Sequence, residues 1–168
     1  MSQVAIIIPV KELVDGKSRL SKVFPTKSRQ LLVMGILKRV ILASKNSIAD
    51  KIIIVGGGEK VEALAEIMSI AWINSQGHDL NSDFSEALKQ LEQDGFASVY
   101  LPSDLPSISH EDIDDLLNFS DIGEILTFVP SSNDGGTNAM VIPKGVGFNP
   151  LLGKDSFNKH IDWVKKSS

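Results

Sequence analysis

The sequence predicts an α/β domain, with a mostly parallel sheet held between helices in three layers. Two observations carry this. Apolar runs of strand length alternate with segments of helical period from one end of the chain to the other, which is the signature of successive βαβ units. The best of these runs is continuous and rich in Val and Ile, without polar alternation, as in a strand covered on both faces. No linker, repeat or low-complexity segment divides the 168 residues, so a single domain over 1–168 is expected.

The elements follow in order. Residues 4–10 are the Val/Ile run and the first strand. Thr26 stands as the cap of a helix reaching about Ser44, with Asn46 as its stop. Residues 51–55 form the second strand, closed by Gly56-Gly57-Gly58. Over 59–68, Val61, Leu64, Ala65 and Met68 fall at i, i+3, i+4 and i+7, a helix stripe. A short third strand covers 71–73. Phe84, Ala87, Leu88 and Leu91 repeat the stripe over 83–93, and 98–101 is the fourth strand. Ser109 opens the next helix, with Glu111 and Asp112 in the first turn where the helix dipole favours acids. Ser109 and Asp112 have capping-box spacing. Strands over 125–129 and 139–142 and a helix over 155–164 complete the chain. Crossovers between parallel strands are expected to be right-handed.

The bulk properties exclude several classes. A net charge of −4 and a pI near 5.3 leave no basic surplus for a nucleic-acid footprint. Phosphate binding must come from a local group of Lys and Arg. The absence of cysteine removes disulfides, thiolate zinc sites and thiol nucleophiles. The apolar start has no basic segment before it and meets Pro9 and Lys11, which reads as a strand and not a signal peptide. The run 31–43 is too short and too charged to span a bilayer. A soluble cytoplasmic protein is expected.

In open α/β sheets, ligands bind beyond the C-terminal ends of strands. Three loops qualify. "PVKELVDGKSRL" (9–20) brings Lys11, Lys17 and Arg19 together near Gly16 and Ser18. Three cations on a pliable loop can hold a polyphosphate, although the same residues also read as a solvated basic loop. "LPSDLP" (101–106) sets one carboxylate, Asp104, between two prolines that stiffen the loop. A turn residue is the plain reading. A rigid single carboxylate also suits Mg²⁺, which takes its other ligands from phosphates and water. "NDGGTNAM" (133–140) combines turn chemistry with two glycines that admit close approach of a ligand, followed by the side chains of Thr137 and Asn138. Further on, Gly153 and Ser156 lie at the mouth of the last helix, where an anion site or an ordinary helix start are equal readings.

Other features are weaker. Gly56-Gly57-Gly58 matches neither the dinucleotide fingerprint nor the P-loop and reads as a tight strand-to-helix turn. His78, His110 and His160 form no motif or metal pair. His160 shares a helical face with Ser156.

Taken in order, "PVK" with "KSRL", "LPSDLP", "GGTNA" and "SFNKH" resemble the 2-phospho-L-lactate guanylyltransferase family of deazaflavin-coenzyme biosynthesis, whose relatives use phosphoenolpyruvate or 3-phosphoglycerate. Order and spacing agree from the first strand to about residue 161. Each motif alone is weak, but their succession is specific. The resemblance implies a GT-A-like nucleotidyltransferase fold, as in nucleotide-diphospho-sugar transferases, with Mg²⁺ as cofactor. It implies GMP transfer from GTP to a small phospho-acid, releasing pyrophosphate. Lys11, Lys17 and Arg19 would hold the GTP phosphates, with Lys17, Arg19 and Asp104 as the catalytic set and Asp104 on the metal. Leu80 and Asn81 would lie near the base or ribose. Thr137, Gly153 and Ser156, with Asn138 beside them, would hold the acceptor. No membrane or nucleic-acid partner is implied, and a homodimer is left open.

Family members usually carry an acidic segment after the "SF..H" helix. Here Lys165-Lys166-Ser167-Ser168 closes the sequence, and Asp162 is the one acid after His160. The metal site would then be incomplete or served by other residues such as Asp134. Two alternatives therefore stay open: a homologue that binds without transferring, and a nucleotidyltransferase for another acceptor.

Overall fold

The computed structural model describes residues 2–11, 25–75, 79–132 and 134–167. The described strands are β1 (Gln3–Val10), β2 (Lys51–Gly56), β3 (Ala71–Ile73), β4 (Phe96–Tyr100), β5 (Thr127–Pro130) and β6 (Thr137–Ile142). The helices are α1 (Thr26–Asn46), α2 (Glu59–Ile67), α3 (Leu80–Gln93), α4 (His110–Phe119) and α5 (Ser156–Ser167). The sheet order is β3-β2-β1-β4-β6-β5. β1 pairs in parallel with β2 and β4, and β2 with β3, whereas β6 runs antiparallel to both of its neighbours. The mostly parallel α/β expectation holds.

β1 lies inside the sheet, which explains its unbroken apolar run. Ile6 and Ile8 belong to one core cluster, and Ala5 and Ile7 to the other. Side chains alternate across a strand, so a strand covered on both faces needs apolar residues at every position. Leu37, Val40 and Ile41 of α1, Val61 and Ala65 of α2, and Ile113 and Leu117 of α4 fill the first cluster. Phe84, Ala87 and Leu91 of α3 fill the second, with Phe148 and, from α5, Trp163. Three layers result.

Side-chain caps fix the starts of α3 and α4. The Ser109 hydroxyl accepts from the Asp112 amide at 3.3 Å, and Asp112 accepts from the Ser109 amide at 2.8 Å, completing the expected capping box. Such caps are worth about 1 kcal/mol. α3 begins earlier than its stripe suggests, because Asp79 accepts from the Asn81 and Ser82 amides. Thr26 is not a cap. Pro25 occupies the cap position in extended conformation, and the Thr26 hydroxyl instead accepts from Arg29 at 3.2 Å.

The glycines at the end of β2 act as a packing device. At Gly57 (φ +83°) an added Cβ would stand 2.5 Å from Val61 Cγ2 and 2.9 Å from Val10 Cγ1. At Gly56 (φ +82°) it would stand 2.7 Å from the Val10 carbonyl oxygen. The ends of β1 and β2 can approach this closely only without side chains there.

Candidate active site

Topology gathers the candidate loops at one edge. β1, β2 and β4 deliver their C-terminal ends to the same side of the sheet. Because β6 is antiparallel to β4, with Tyr100 opposite Met140, its N-terminal end arrives there too. The chain leaving β1 at Lys11, the loop after β4 and the turn before β6 therefore share one rim. Lys11 is exposed at the end of β1. Lys17 and Arg19 lie outside the described residues.

Leu101 and Leu105 anchor the Asp104 loop. The Leu101 amide donates to the Ile7 carbonyl at 3.1 Å, extending the β1–β4 contact by one residue. Leu101 is buried in the first core cluster and Leu105 packs against the same cluster. Asp104 stands exposed between them. The apolar anchors and the two prolines fix the loop, and the carboxylate is left to solvent. Tyr100, just before the loop, has its phenol pKa pushed up by burial, with the Asp104 charge adding to the shift.

Among the described residues, no three His, Asp or Glu side chains converge as a self-sufficient metal site requires. One exposed carboxylate at a strand end does fit Mg²⁺ arriving with a triphosphate, since that ion commonly keeps water and phosphate ligands and takes only one or two carboxylates. Asp134, the other acid considered for this role, accepts from the Gly136 amide at 3.0 Å and so braces its own turn.

Thr137, Ser156 and His160 meet in the interior. Thr137 Oγ1 lies 3.0 Å from Ser156 Oγ and 3.1 Å from His160 Nδ1. All three residues are buried. A register shift makes this meeting possible. Val129 pairs with Ala139, but Pro130 pairs with Thr137, which leaves Asn138 as the extra residue of a bulge. Ala139 and Val141 face the first core cluster. Strict alternation would turn Thr137 the same way, whereas the bulge turns it towards α5. Asn138 itself is half-buried.

The His160 ring stacks on Phe128, with centroids 5.3 Å apart, and meets Phe148 edge-on. The Leu151 amide donates to its Nε2 at 3.1 Å, a bond open only to an unprotonated nitrogen. Burial is the largest cause and holds the imidazole pKa below its ordinary value; the backbone contact with Leu151 opposes that shift, and the charge of Lys159 adds to it. The neutral ring is therefore complete above pH 6.5, and its contribution is lost as pH falls through the depressed pKa.

Asn81 clamps the loop that carries Gly153. Its Oδ1 accepts from the Leu152 amide at 2.6 Å, and its Nδ2 donates to the Leu152 carbonyl at 3.3 Å. The amide group is thus engaged with the backbone of the Gly153 loop, a use that sequence spacing did not suggest. Leu80 is half-buried beside it at the start of α3. Gly153 has φ +115°, and an added Cβ there would meet nothing within 4 Å, so its backbone borders open space. Two amides at the start of α5 are already engaged: Ser156 N–H donates to Gly153 O at 3.2 Å and Phe157 N–H to Gly135 O at 3.1 Å. At the start of α5 the Ser156 hydroxyl faces Thr137, while these amides are spent on backbone carbonyls.

The mixed sheet thus gathers its candidate loops at the C-terminal ends of its parallel strands, where α/β folds bind ligands. Solved structures agree on the fold. A nucleotide-diphospho-sugar transferase from Desulfovibrio desulfuricans G20 superimposes with a TM-score of 0.77, at 19% identity, over 99% of this chain and 77% of its own. A 4-diphosphocytidyl-2C-methyl-D-erythritol synthase gives 0.55 at 10% identity, over 98% of this chain and 80% of its own.

Residues 4–168 match the family described as guanylyl transferase CofC like, and the chain belongs to that family. A phosphoenolpyruvate guanylyltransferase from Roseiflexus sp. is 32% identical over 92% of this chain and 69% of its own length. A 2-phospho-L-lactate guanylyltransferase from Methanobrevibacter ruminantium is 31% identical over 99% of this chain and 74% of its own. The chain is a nucleotidyltransferase of the guanylyltransferase kind, and these relatives do not favour the binding-only alternative. Among the described residues no helix is long and apolar enough to cross a membrane.

Proposed function

We propose that this protein transfers GMP from GTP to the phosphate of a small phospho-acid, such as phosphoenolpyruvate or 2-phospholactate, releasing pyrophosphate. The observation that carries the acceptor reading is the Thr137–Ser156 contact of 3.0 Å, which joins the start of β6 to the start of α5. Two hydroxyls and the backbone at Gly153 offer a small, polar anchor suited to a three-carbon phospho-acid.

In this reading a phosphate oxygen of the acceptor attacks the α-phosphorus of GTP in line. A new P–O bond forms as the α–β bridging bond breaks, and the electron pair leaves with pyrophosphate. The acceptor phosphate is already ionised, so no general base is required. Positioning and charge neutralisation supply most of the rate. Mg²⁺, when bound at Asp104, supplies charge neutralisation on the triphosphate. Lys11, Lys17 and Arg19 hold the phosphates, and Thr137, Asn138, Gly153 and Ser156 hold the acceptor. Leu80 and Asn81 act at the seam between the two sites, where the clamp on Leu152 favours a bracing role for Asn81.

The test is pyrophosphate release with GTP and Mg²⁺ against a panel of phospho-acids. Turnover with one member and none with GTP alone is expected. Absence of release with every acceptor would reject the reading. Lys17→Ala and Arg19→Ala should each weaken GTP binding by calorimetry, since a charge-assisted hydrogen bond is worth roughly 1.5–3 kcal/mol. Acceptor affinity should change less. Unchanged GTP affinity in both variants would leave the loop as a solvated turn.

A further inference from the structure

We propose that His160 is the positioning residue of the acceptor site: its two nitrogens register the Thr137 hydroxyl against the Gly153 loop and leave one hydroxyl hydrogen free for the bound anion. The proposal rests on the acceptor reading above and adds a residue and a proton arrangement to it.

The argument is a count of hydrogens. An amide can only donate, so the Leu151 N–H at 3.1 Å requires a lone pair on Nε2. The neutral ring then carries its proton on Nδ1, which donates to Thr137 Oγ1 at 3.1 Å. Thr137 and Ser156 together have two hydroxyl hydrogens, and their mutual bond at 3.0 Å takes one. One remains, and an anionic acceptor is its natural partner. The opposite tautomer reverses the outcome. Nε2–H would face the Leu151 N–H, donor against donor. Nδ1 would accept from Thr137, the Thr137 oxygen would accept from Ser156, and no hydroxyl hydrogen would remain for a ligand. Leu151 thus selects the tautomer that makes the site a donor.

The same bond fixes the loop. Leu151 is held by His160 and Leu152 by Asn81, so the backbone entering Gly153 is pinned at two successive residues. Phe128 and Phe148 hold the ring from its face and edge. A hydroxyl pair and a loop joined through one buried ring keep a constant spacing, as a small rigid ligand needs.

Two measurements test this. The first needs no substrate. Imidazole ¹⁵N shifts of the wild-type protein near neutral pH should show His160, one of three histidines, neutral and protonated on Nδ1. An Nε2–H tautomer or a charged ring would overturn the proposal. The second is steady-state kinetics with phosphoenolpyruvate and GTP. His160→Phe keeps an aromatic ring between Phe128 and Phe148 and removes both nitrogens. Its KM for phosphoenolpyruvate should rise roughly tenfold to a hundredfold with the KM for GTP nearly unchanged. His160→Asn restores a donor near the Nδ1 position and should recover part of the loss, which a merely space-filling role would not produce. An unchanged phosphoenolpyruvate KM in His160→Phe, while Thr137→Val and Ser156→Ala raise it, overturns the positioning role alone. An unchanged value in all three overturns the acceptor site as well. If His160→Phe does not fold, the tautomer and the His160→Asn kinetics decide.

Discussion

Asp104→Asn is expected to lower kcat for pyrophosphate release by roughly 10³-fold or more, at or above the ~10²–10³ typical of losing one electrostatic stabiliser. The substitution keeps the shape of the side chain and removes its charge. Folding should be untouched, because Leu101 and Leu105 hold the loop in the core and Asp104 is exposed between them. Thermal denaturation should therefore coincide with that of the wild type. Among the described residues no group of three His, Asp or Glu side chains forms a metal cluster that could take over its role. Wild-type turnover in Asp104→Asn with Mg²⁺ would remove Asp104 from the metal role. Loss of turnover in Asp134→Asn instead would move that role to Asp134, despite its hydrogen bond to the Gly136 amide.

The fold was legible because the sheet is buried on both faces. From Val4 to Val10 every position of β1 is buried and apolar, so its run stands out in the sequence. Capping was legible where the side-chain pair is local, as with Ser109 and Asp112. It was misplaced at Thr26, where Pro25 takes the cap position without a side-chain acceptor. The start of α3 was missed by three residues, although Asp79 followed by two amides it can accept from is a signal that sequence carries.

The site was legible in part. Asp104 was singled out through its prolines, and the structure leaves it exposed beyond the end of β4. Thr137 and Ser156 were singled out through glycines and a helix mouth, but their contact depends on the bulge at Asn138. Nothing in the sequence distinguishes a bulge there from strict alternation, and the two differ in which face Thr137 occupies. His160 was set aside for a related reason. Its partners are Leu151, nine residues away, and Thr137, twenty-three away. A search for His, Ser and Asp spacings does not register an amide and a threonine hydroxyl as partners. Asn81 likewise reaches the Leu152 backbone, which no side-chain motif encodes.

Thr137→Val and Ser156→Ala are each expected to raise the KM for phosphoenolpyruvate roughly tenfold to a hundredfold, the equivalent of one hydrogen bond to a charged ligand. The KM for GTP should remain near its wild-type value. The two losses should not be additive. The mutual bond holds the one free hydrogen in register, so removing either oxygen, although it leaves one hydroxyl hydrogen, loses the same registered donor. The double variant should then cost much less than the sum of the two. Stability separates them further. Thr137→Val leaves the buried Nδ1–H of His160 without an acceptor, a cost of about 1–3 kcal/mol. Ser156→Ala removes a hydroxyl that touches only Thr137 within this trio and should cost less. Thr137→Ser keeps the oxygen and should retain most of the acceptor affinity. Steady-state kinetics and denaturant titration of the four variants test the whole scheme. Additive losses would mean that the hydroxyls bind the acceptor independently, and an equal rise in the KM for GTP would place them on the nucleotide instead.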